Sequence, residues 1–409
     1  MNDSFVVMLI GILFVSIFGG ILLVGTGQQV SGDWPMFRND LNHSGVGTGS
    51  PVLNVTLLWN YATGGQIYSS AAVVNGVVYI GSLDGNLYAL KASSGEKLWS
   101  YSTSNQVYSC PAVANGIVYV GSADSKVYAL NATSGEKLWS YTTGDQVDSS
   151  PTVANGVVYI GSYDDNIYAL NAIDGSKLWN YSTLAPVWSS PAYVADVVYI
   201  GSTDGYIYAL NATSGAKLWN YTNGNAVDSS PTVVGGFVYT GCENGSVYAL
   251  DAADGSQVWS FDAGNIVKSS PAVAGGVVYI GSLDHNVYAL NATEGTKLWN
   301  YTTGGTVYSS PAVVDGIVYV GSEDGKIYAL STANGAKLWS YSTSGYVESS
   351  PTVVDGALYI ASLNGKIYSL GSLPPSSNGP PIIFVAVAIV VIVLSGVFLY
   401  RKKMKGSFF

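Results

Sequence analysis

A chain of 409 residues would ordinarily divide into two or three domains, but only 10% of its residues are charged, while Gly, Ser, Tyr and Val abound. That balance suits many short strands joined by tight turns and argues against a helical protein. The net charge of −10 disfavours a sequence-tolerant nucleic-acid binder, which needs a basic face, and suits the solubility of a large β-rich surface.

Residues 1–25 carry an apolar run of twenty residues, 5–24, with no charge. The run lacks a basic n-region and an A-x-A cleavage site, so it reads either as an uncleaved anchor or as an atypical signal peptide. Both readings export the middle of the chain. Residues 26–54 form a lead-in to the repeats.

From 55 to 370 the chain is periodic. Trp59, Trp99, Trp139, Trp179, Trp219, Trp259, Trp299 and Trp339 form a ladder with a step of 40 residues. A self-similar period in this range marks a repeat architecture. In the repeat 304–341, Thr306–Val314 is β-rich and ends at the tight-turn pair Asp315-Gly316. Ile317–Gly321 is a second strand, Asp324-Gly325 a second turn, Ile327–Leu330 a third strand, and Lys337–Tyr341 a fourth. Four short strands with polar turns make an up-and-down antiparallel sheet. Its apolar residues fall on both faces, so it needs a neighbour on each side. Radial stacking supplies both neighbours, which makes the chain an all-β propeller. A β-solenoid would have shorter repeats without such hairpins.

S-S-P or a variant recurs eight times, ending at Ala71, Pro111, Pro151, Pro191, Pro231, Pro271, Pro311 and Pro351. Nothing like K-L-W follows Tyr368, whereas the segment 54–61 is a spare outer strand. That segment is expected to complete the last blade and close a ring of eight four-stranded blades, removing two open edges.

Comparing repeats shows where they differ. The residue before each serine pair reads Tyr68, Tyr108, Asp148, Trp188, Asp228, Lys268, Tyr308 and Glu348, while its neighbours hardly change. It is expected at the start of the innermost strand, near one mouth of the channel. A mixed ring of aromatics, acids and a lysine there is either a recognition surface or drift after duplication. Trp188, preceded by Ala185-Pro186, is the preferred contact.

Other chemistry-bearing residues are sparse. Cys110 and Cys242 replace serines at different repeat positions and read as small buried substitutes, not as a disulfide. His43 in the lead-in and His285 in a turn are expected to be solvated. Asp84, Asp124, Asp164, Asp204, Asp284 and Asp324 stand one per blade at turns, where turn chemistry explains them better than calcium. No metal site or catalytic constellation is expected. Sequons at Asn42, Asn54, Asn131, Asn180, Asn211, Asn220, Asn244, Asn291 and Asn300 are either glycan acceptors on an exported domain or repeat residues copied along the chain.

Residues 371–381 (GSLPPSSNGPP) read as a semi-stiff spacer. The apolar run 382–400 would span about 28 Å as a helix, close to a bilayer core. The basic tail 401–409 behind it places the C-terminus in the cytoplasm and the repeats outside.

The spacing Ala129, Gly135, Trp139, repeated in seven blades, resembles the tryptophan-docking motif of pyrroloquinoline-quinone (PQQ) repeats. Asp33-Trp34-Pro35-Met36-Phe37-Arg38, running on to Ser44-Gly45, is similar to the lead-in of PQQ-like propellers. The G-H and W-D signatures of WD40 repeats are missing. The resemblance implies an eight-bladed propeller in which each ladder Trp packs flat between blades and donates its indole N–H to a backbone carbonyl. It also implies two functional branches: PQQ-dependent dehydrogenases with calcium and an adjacent Cys-Cys pair, and binding propellers without cofactor. This chain has no Cys-Cys pair and no long inter-blade insertions. The reading is therefore a non-enzymatic, membrane-anchored extracellular propeller without cofactor, binding protein or glycan partners at an archaeal or other cell surface. The alternative is an exported PQQ-dependent oxidoreductase.

Overall fold

The structure is a computed structural model and describes residues 33–371. Both apolar runs, the spacer beyond Gly371 and the basic tail lie outside the described residues, as does the whole of the second unit, 372–409. No helix among the described residues is long and apolar enough to cross a membrane.

Among the described residues, thirty-two strands, β1–β32 in chain order, form eight four-stranded antiparallel sheets. Blade one is β2 (Ala72–Val74), β3 (Val77–Gly81), β4 (Asn86–Lys91) and β5 (Lys97–Ser102), and the next six blades repeat it. In blade eight, β30 (Thr352–Val354), β31 (Ala357–Ser362) and β32 (Lys366–Gly371) are completed by β1 (Thr56–Ala62). Trp59 lies opposite Ser369 in that pairing, so the spare segment does close the ring. The innermost strands touch their neighbours on both sides, and β30 touches β2.

The turns follow from backbone sterics. Asp315 and Gly316 have φ of 42° and 79°, the two left-handed residues of a type I′ hairpin. The core lies between blades. One cluster joins Tyr119, Val127 and Trp139 of blade two to Val158, Ile160 and Leu170 of blade three. Trp99 Nε1 and Tyr79 Oη both donate to the carbonyl of Ala132 in the next blade, at 3.0 and 3.1 Å. The indole lies flat on Gly135 (φ +71°), where an added Cβ would come within 2.7 Å of the ring. This is the ladder's expected docking role.

The innermost strands are shorter than their apolar pattern predicts. In blade seven the strand is Ala312–Val314, not Thr306–Val314. Pro311 lacks an N–H, and the serine before it turns its own outward, since Ser310 N donates to Ser350 Oγ of the next blade at 3.1 Å. The same bond recurs around the axis: Ser350 to Ser70, Ser70 to Cys110 Sγ, Cys110 to Ser150, Ser150 to Ser190, Ser190 to Ser230, Ser230 to Ser270, and Ser270 to Ser310. A closed belt of hydrogen bonds thus replaces part of the inner strands.

The lead-in lies inside the ring. Trp34 exchanges two backbone bonds with Val73 of blade one, and Pro35 O accepts from Val113 N of blade two. Leu41, Asn42, Ser44 and Gly45 then accept from Tyr193, Val233, Val273 and Val313 of blades four to seven. His43 Nε2 meets Thr152 Oγ1 of blade three at 3.2 Å. Arg38 Nη1 and Nη2 donate to the carbonyls of Pro311 and Pro271. Contrary to the solvated position expected for it, His43 is 0% exposed, and Arg38 is also buried. Burial drives the imidazole down to about 3, with Arg38 adding repulsion, so His43 is neutral. The lead-in thus lies along β2 and its equivalents, inside the ring.

Candidate functional site

The variable ring stands four residues before each innermost strand and not at its start. Each ring residue is flanked by a buried apolar residue, such as Val107 or Val187, and a buried serine, such as Ser109 or Ser189. With both neighbours turned into the walls, the residue between them faces the opposite way. All eight are partly or fully exposed, Trp188 most clearly at 41%.

Their side chains meet. Tyr68 and Tyr108 have ring centroids 5.5 Å apart. The Trp188 indole stacks on Tyr163 at 5.3 Å and 15°, and Lys268 Nζ lies 5.5 Å from the Trp188 ring. Lys268 Nζ also pairs with Asp228 at 2.9 Å and Glu243 at 2.8 Å. Burial works against this ammonium, yet the bonds to Glu243 and Asp228 hold it above the ordinary lysine range. Asp228 and Asp148 are raised, chiefly by burial. Glu348 is pushed up to about 7 by burial and then by the negative charge of Glu323. Tyr308 is raised by burial and then by Glu323 and Glu348.

Three members of this site were missed by reading the ring position alone: Tyr163, Glu243 and Glu323. They occupy the position two after the last residue of Val77–Gly81 and its equivalents, which reads Leu83, Ala123, Tyr163, Thr203, Glu243, Leu283, Glu323 and Leu363. That position also varies, so the same repeat comparison would have found it.

The remaining candidate residues are not brought into the mouth cluster. Asp84 binds its own turn, accepting from Asn86 N at 3.0 Å, from Tyr88 Oη at 2.7 Å and from Gly64 N at 2.7 Å. Burial works against the Asp84 carboxylate, but the bonds from Tyr88, Asn86 and Gly64 hold it below the usual range. Cys110 and Cys242 are free and buried, and His285 is exposed. Among the sequons, Asn54, Asn180, Asn244 and Asn300 are exposed, Asn42 lies in the lead-in, and Asn220 is half-buried. Asn131, Asn211 and Asn291 use Oδ1 to accept N–H groups two and three residues on, as turn residues do.

The Trp188 ring is thus covered by Tyr163 and Lys268, and Lys268 pairs with Asp228 and Glu243. Calcium takes six to eight oxygens, and among the described residues no three metal-ligating side chains converge.

The family model described as outer membrane protein assembly factor BamB matches residues 52–147, 111–241 and 203–378. No curated protein matches the chain. Similar solved structures include BamB from Moraxella catarrhalis, with 20% identity and a TM-score of 0.69 over 78% of this chain and 100% of that one. A europium-containing methanol dehydrogenase has 14% identity and a TM-score of 0.74 over 83% and 98% of the two chains. The computationally designed protein Ika8 has 18% identity and a TM-score of 0.70 over 79% and 100%. At these identities the structures speak to the fold alone.

Proposed function

The chain belongs to the PQQ-like repeat family whose model is described as outer membrane protein assembly factor BamB, and from that premise we propose that it is a non-catalytic binding scaffold. The observation that carries the reading is the convergence of the variable residues on one mouth. Repeats that agree elsewhere concentrate their differences where a partner has access, and aromatic and charged side chains there supply contact area and orientation.

The propeller works outside the cell, held to the plasma membrane through residues 382–400, with the basic tail in the cytoplasm. Its partner is a protein or glycan at the surface. Crosslinking and pull-down from intact cells tests this, with Trp188→Ala and Tyr308→Ala as variants. Both should weaken capture of the partner while leaving the thermal midpoint in place, since neither residue is part of the core. Unchanged capture would return the ring to drift. Dye-linked alcohol oxidation on adding PQQ and calcium would overturn the non-catalytic reading in favour of an oxidoreductase.

A further inference from the structure

The residue before each ladder tryptophan is leucine in seven blades and Val258 in the other. Leu98, Leu138, Leu178, Leu218, Leu298 and Leu338 are between 48% and 53% exposed, and each follows an exposed lysine. The variable ring shows what an exposed position free to change takes up: Tyr, Asp, Trp, Lys and Glu. The leucine position, half in water, is aliphatic eight times over. Ile173 adds to it. It is 81% exposed in the turn before the outer strand of blade three, where other blades have Ser, Thr or Ala.

These side chains lie at one end of the blades. Leu98 lines a cleft with Asn115-Gly116, and Leu218 lines one with Gly235-Gly236, the turns that join the two innermost strands of the following blade. Both described ends of the chain lie there too. Asp33 Oδ1 accepts from Asn75 N at 2.9 Å and shares a cleft of about 470 Å³ with Leu58, Gly76 and Ala357. Gly371 pairs with Ala357. From these turns β3 and its equivalents carry the chain to the opposite end, where Asp204 accepts from Leu184 N at 3.0 Å and Tyr163 stacks on Trp188.

We propose that the leucine end of the propeller lies on a phospholipid bilayer surface, with the leucines at the boundary of headgroups and acyl chains and the lysine ammonium groups on headgroup phosphates. The proposal rests on the membrane tethers of the function proposed above. What points to lipid is where the chain leaves the blades. Eight residues, 25–32, separate Asp33 from the apolar run 5–24, and ten, 372–381, separate Gly371 from the run 382–400. Fully extended, these stretches reach at most about 29 Å and about 36 Å. Both start from the leucine end, so it is this end that short tethers bring to the bilayer. The alternation of lysine and leucine suits such a surface, because a lysine stem lies along apolar material while its ammonium reaches polar groups. Glu96, Glu136, Asp174, Asp254 and Glu294 stand in turns at the same end and offset the lysines. Apolar contact, not net charge, therefore carries the binding, and the variable ring faces away from the bilayer.

Site-directed fluorescence tests this. Cys110 and Cys242 are buried, so an introduced thiol takes the label. The full chain is reconstituted into phosphatidylcholine–phosphatidylglycerol vesicles with a nitrobenzoxadiazole at Leu138→Cys, Leu178→Cys or Ile173→Cys. The control is Leu184→Cys, at the opposite end and 80% exposed. Lipid carrying a nitroxide high on its acyl chain should quench the first three by about twofold or more relative to the control. Changing Leu98, Leu218 and Leu298 together to Asp should bring Ile173→Cys down to the control level without moving the thermal midpoint. Equal quenching at the two ends, or quenching at Ile173→Cys that ignores the triple change, overturns the proposal. A spectral shift at Leu138→Cys that grows with protein concentration and ignores the nitroxide assigns this end to a second copy and also overturns it. Flotation after a carbonate wash reads the tethers separately. A chain that floats with both ends equally quenched keeps its anchor and loses the surface contact. One that carbonate strips, but whose leucine end was quenched, keeps the contact and loses the anchor.

Discussion

Trp339 donates its indole N–H to the backbone carbonyl of Val52 at 2.8 Å, across 287 positions of sequence. The other seven ladder tryptophans bond a residue 33 positions ahead, as Trp59 does with Ala92 at 2.8 Å and Trp299 with Thr332 at 2.9 Å. Val52 N–H also donates to Tyr319 Oη at 2.8 Å. The ring is therefore closed twice from the N-terminal side, by β1 in the sheet and by Val52 at the tryptophan joint.

Closure predicts a specific weakness. Trp339→Ala should cost about 3–5 kcal/mol, the range for a buried Trp lost from a core. A chain beginning after residue 62 loses the last outer strand and the Val52 acceptor together. Its thermal midpoint, followed by circular dichroism, should fall further than that of Trp339→Ala. Equal midpoints for the shortened and intact chains would show that β1 is dispensable.

The serine belt predicts effects of opposite sign at two equivalent positions. Ser190→Ala leaves Ser150 N–H, now bonded to Ser190 Oγ at 3.0 Å, buried without its acceptor, at a cost of about 1–3 kcal/mol. Cys110→Ser replaces the weak sulfur acceptor of Ser70 N–H by oxygen and should stabilise by about 0.5–1 kcal/mol. Denaturant midpoints at constant m-value decide both. A destabilised Cys110→Ser would mean that the larger sulfur is needed to fill its site.

Burial of neutral His43 predicts an acid-sensitive fold. Its folded value, about 3, lies below the ordinary 6.5 that it regains on unfolding. The unfolded chain then binds more protons in between, so stability is fully present above about 6.5 and is lost as pH falls toward 3. The full effect is about 5 kcal/mol. His43→Gln should flatten this limb in urea titrations between pH 3 and 7. An unchanged slope would place the imidazole in contact with water.

Glu348 acts in the other direction. Its folded value of about 7 lies above the ordinary 4.5, so here the folded state binds the extra proton. Stability from this group is present below about 4.5 and is lost as pH rises to 7. The side chain is partly exposed, and screening reduces the effect to about 1 kcal/mol. Glu348→Gln should therefore gain on the parent between pH 5 and 8 in thermal melts. Parallel curves would remove the carboxyl coupling.

Much of the site was readable because duplication supplies an internal comparison. The ring from Tyr68 to Glu348 stood out as the position that changes while its neighbours do not. Tyr163, Glu243 and Glu323 escaped because the comparison was made at one position instead of two. His43 escaped for another reason: a lone histidine in a polar stretch carries no periodicity, so nothing local distinguishes a solvated ring from one bonded to Thr152.

The sequence by itself determined the blade, the number of blades and the closing strand. These depend on short-range alternation, turn residues and a period of 40, all of which can be read along the chain. The tertiary structure alone decided that the lead-in lies inside the ring, that serines form a belt, and that Lys268 sits between Asp228 and Glu243 over the Trp188 ring. Each of these is a contact between residues that share no local pattern. Ring closure brings them together, and burial and charge, which depend on the groups lying opposite, then set their chemistry.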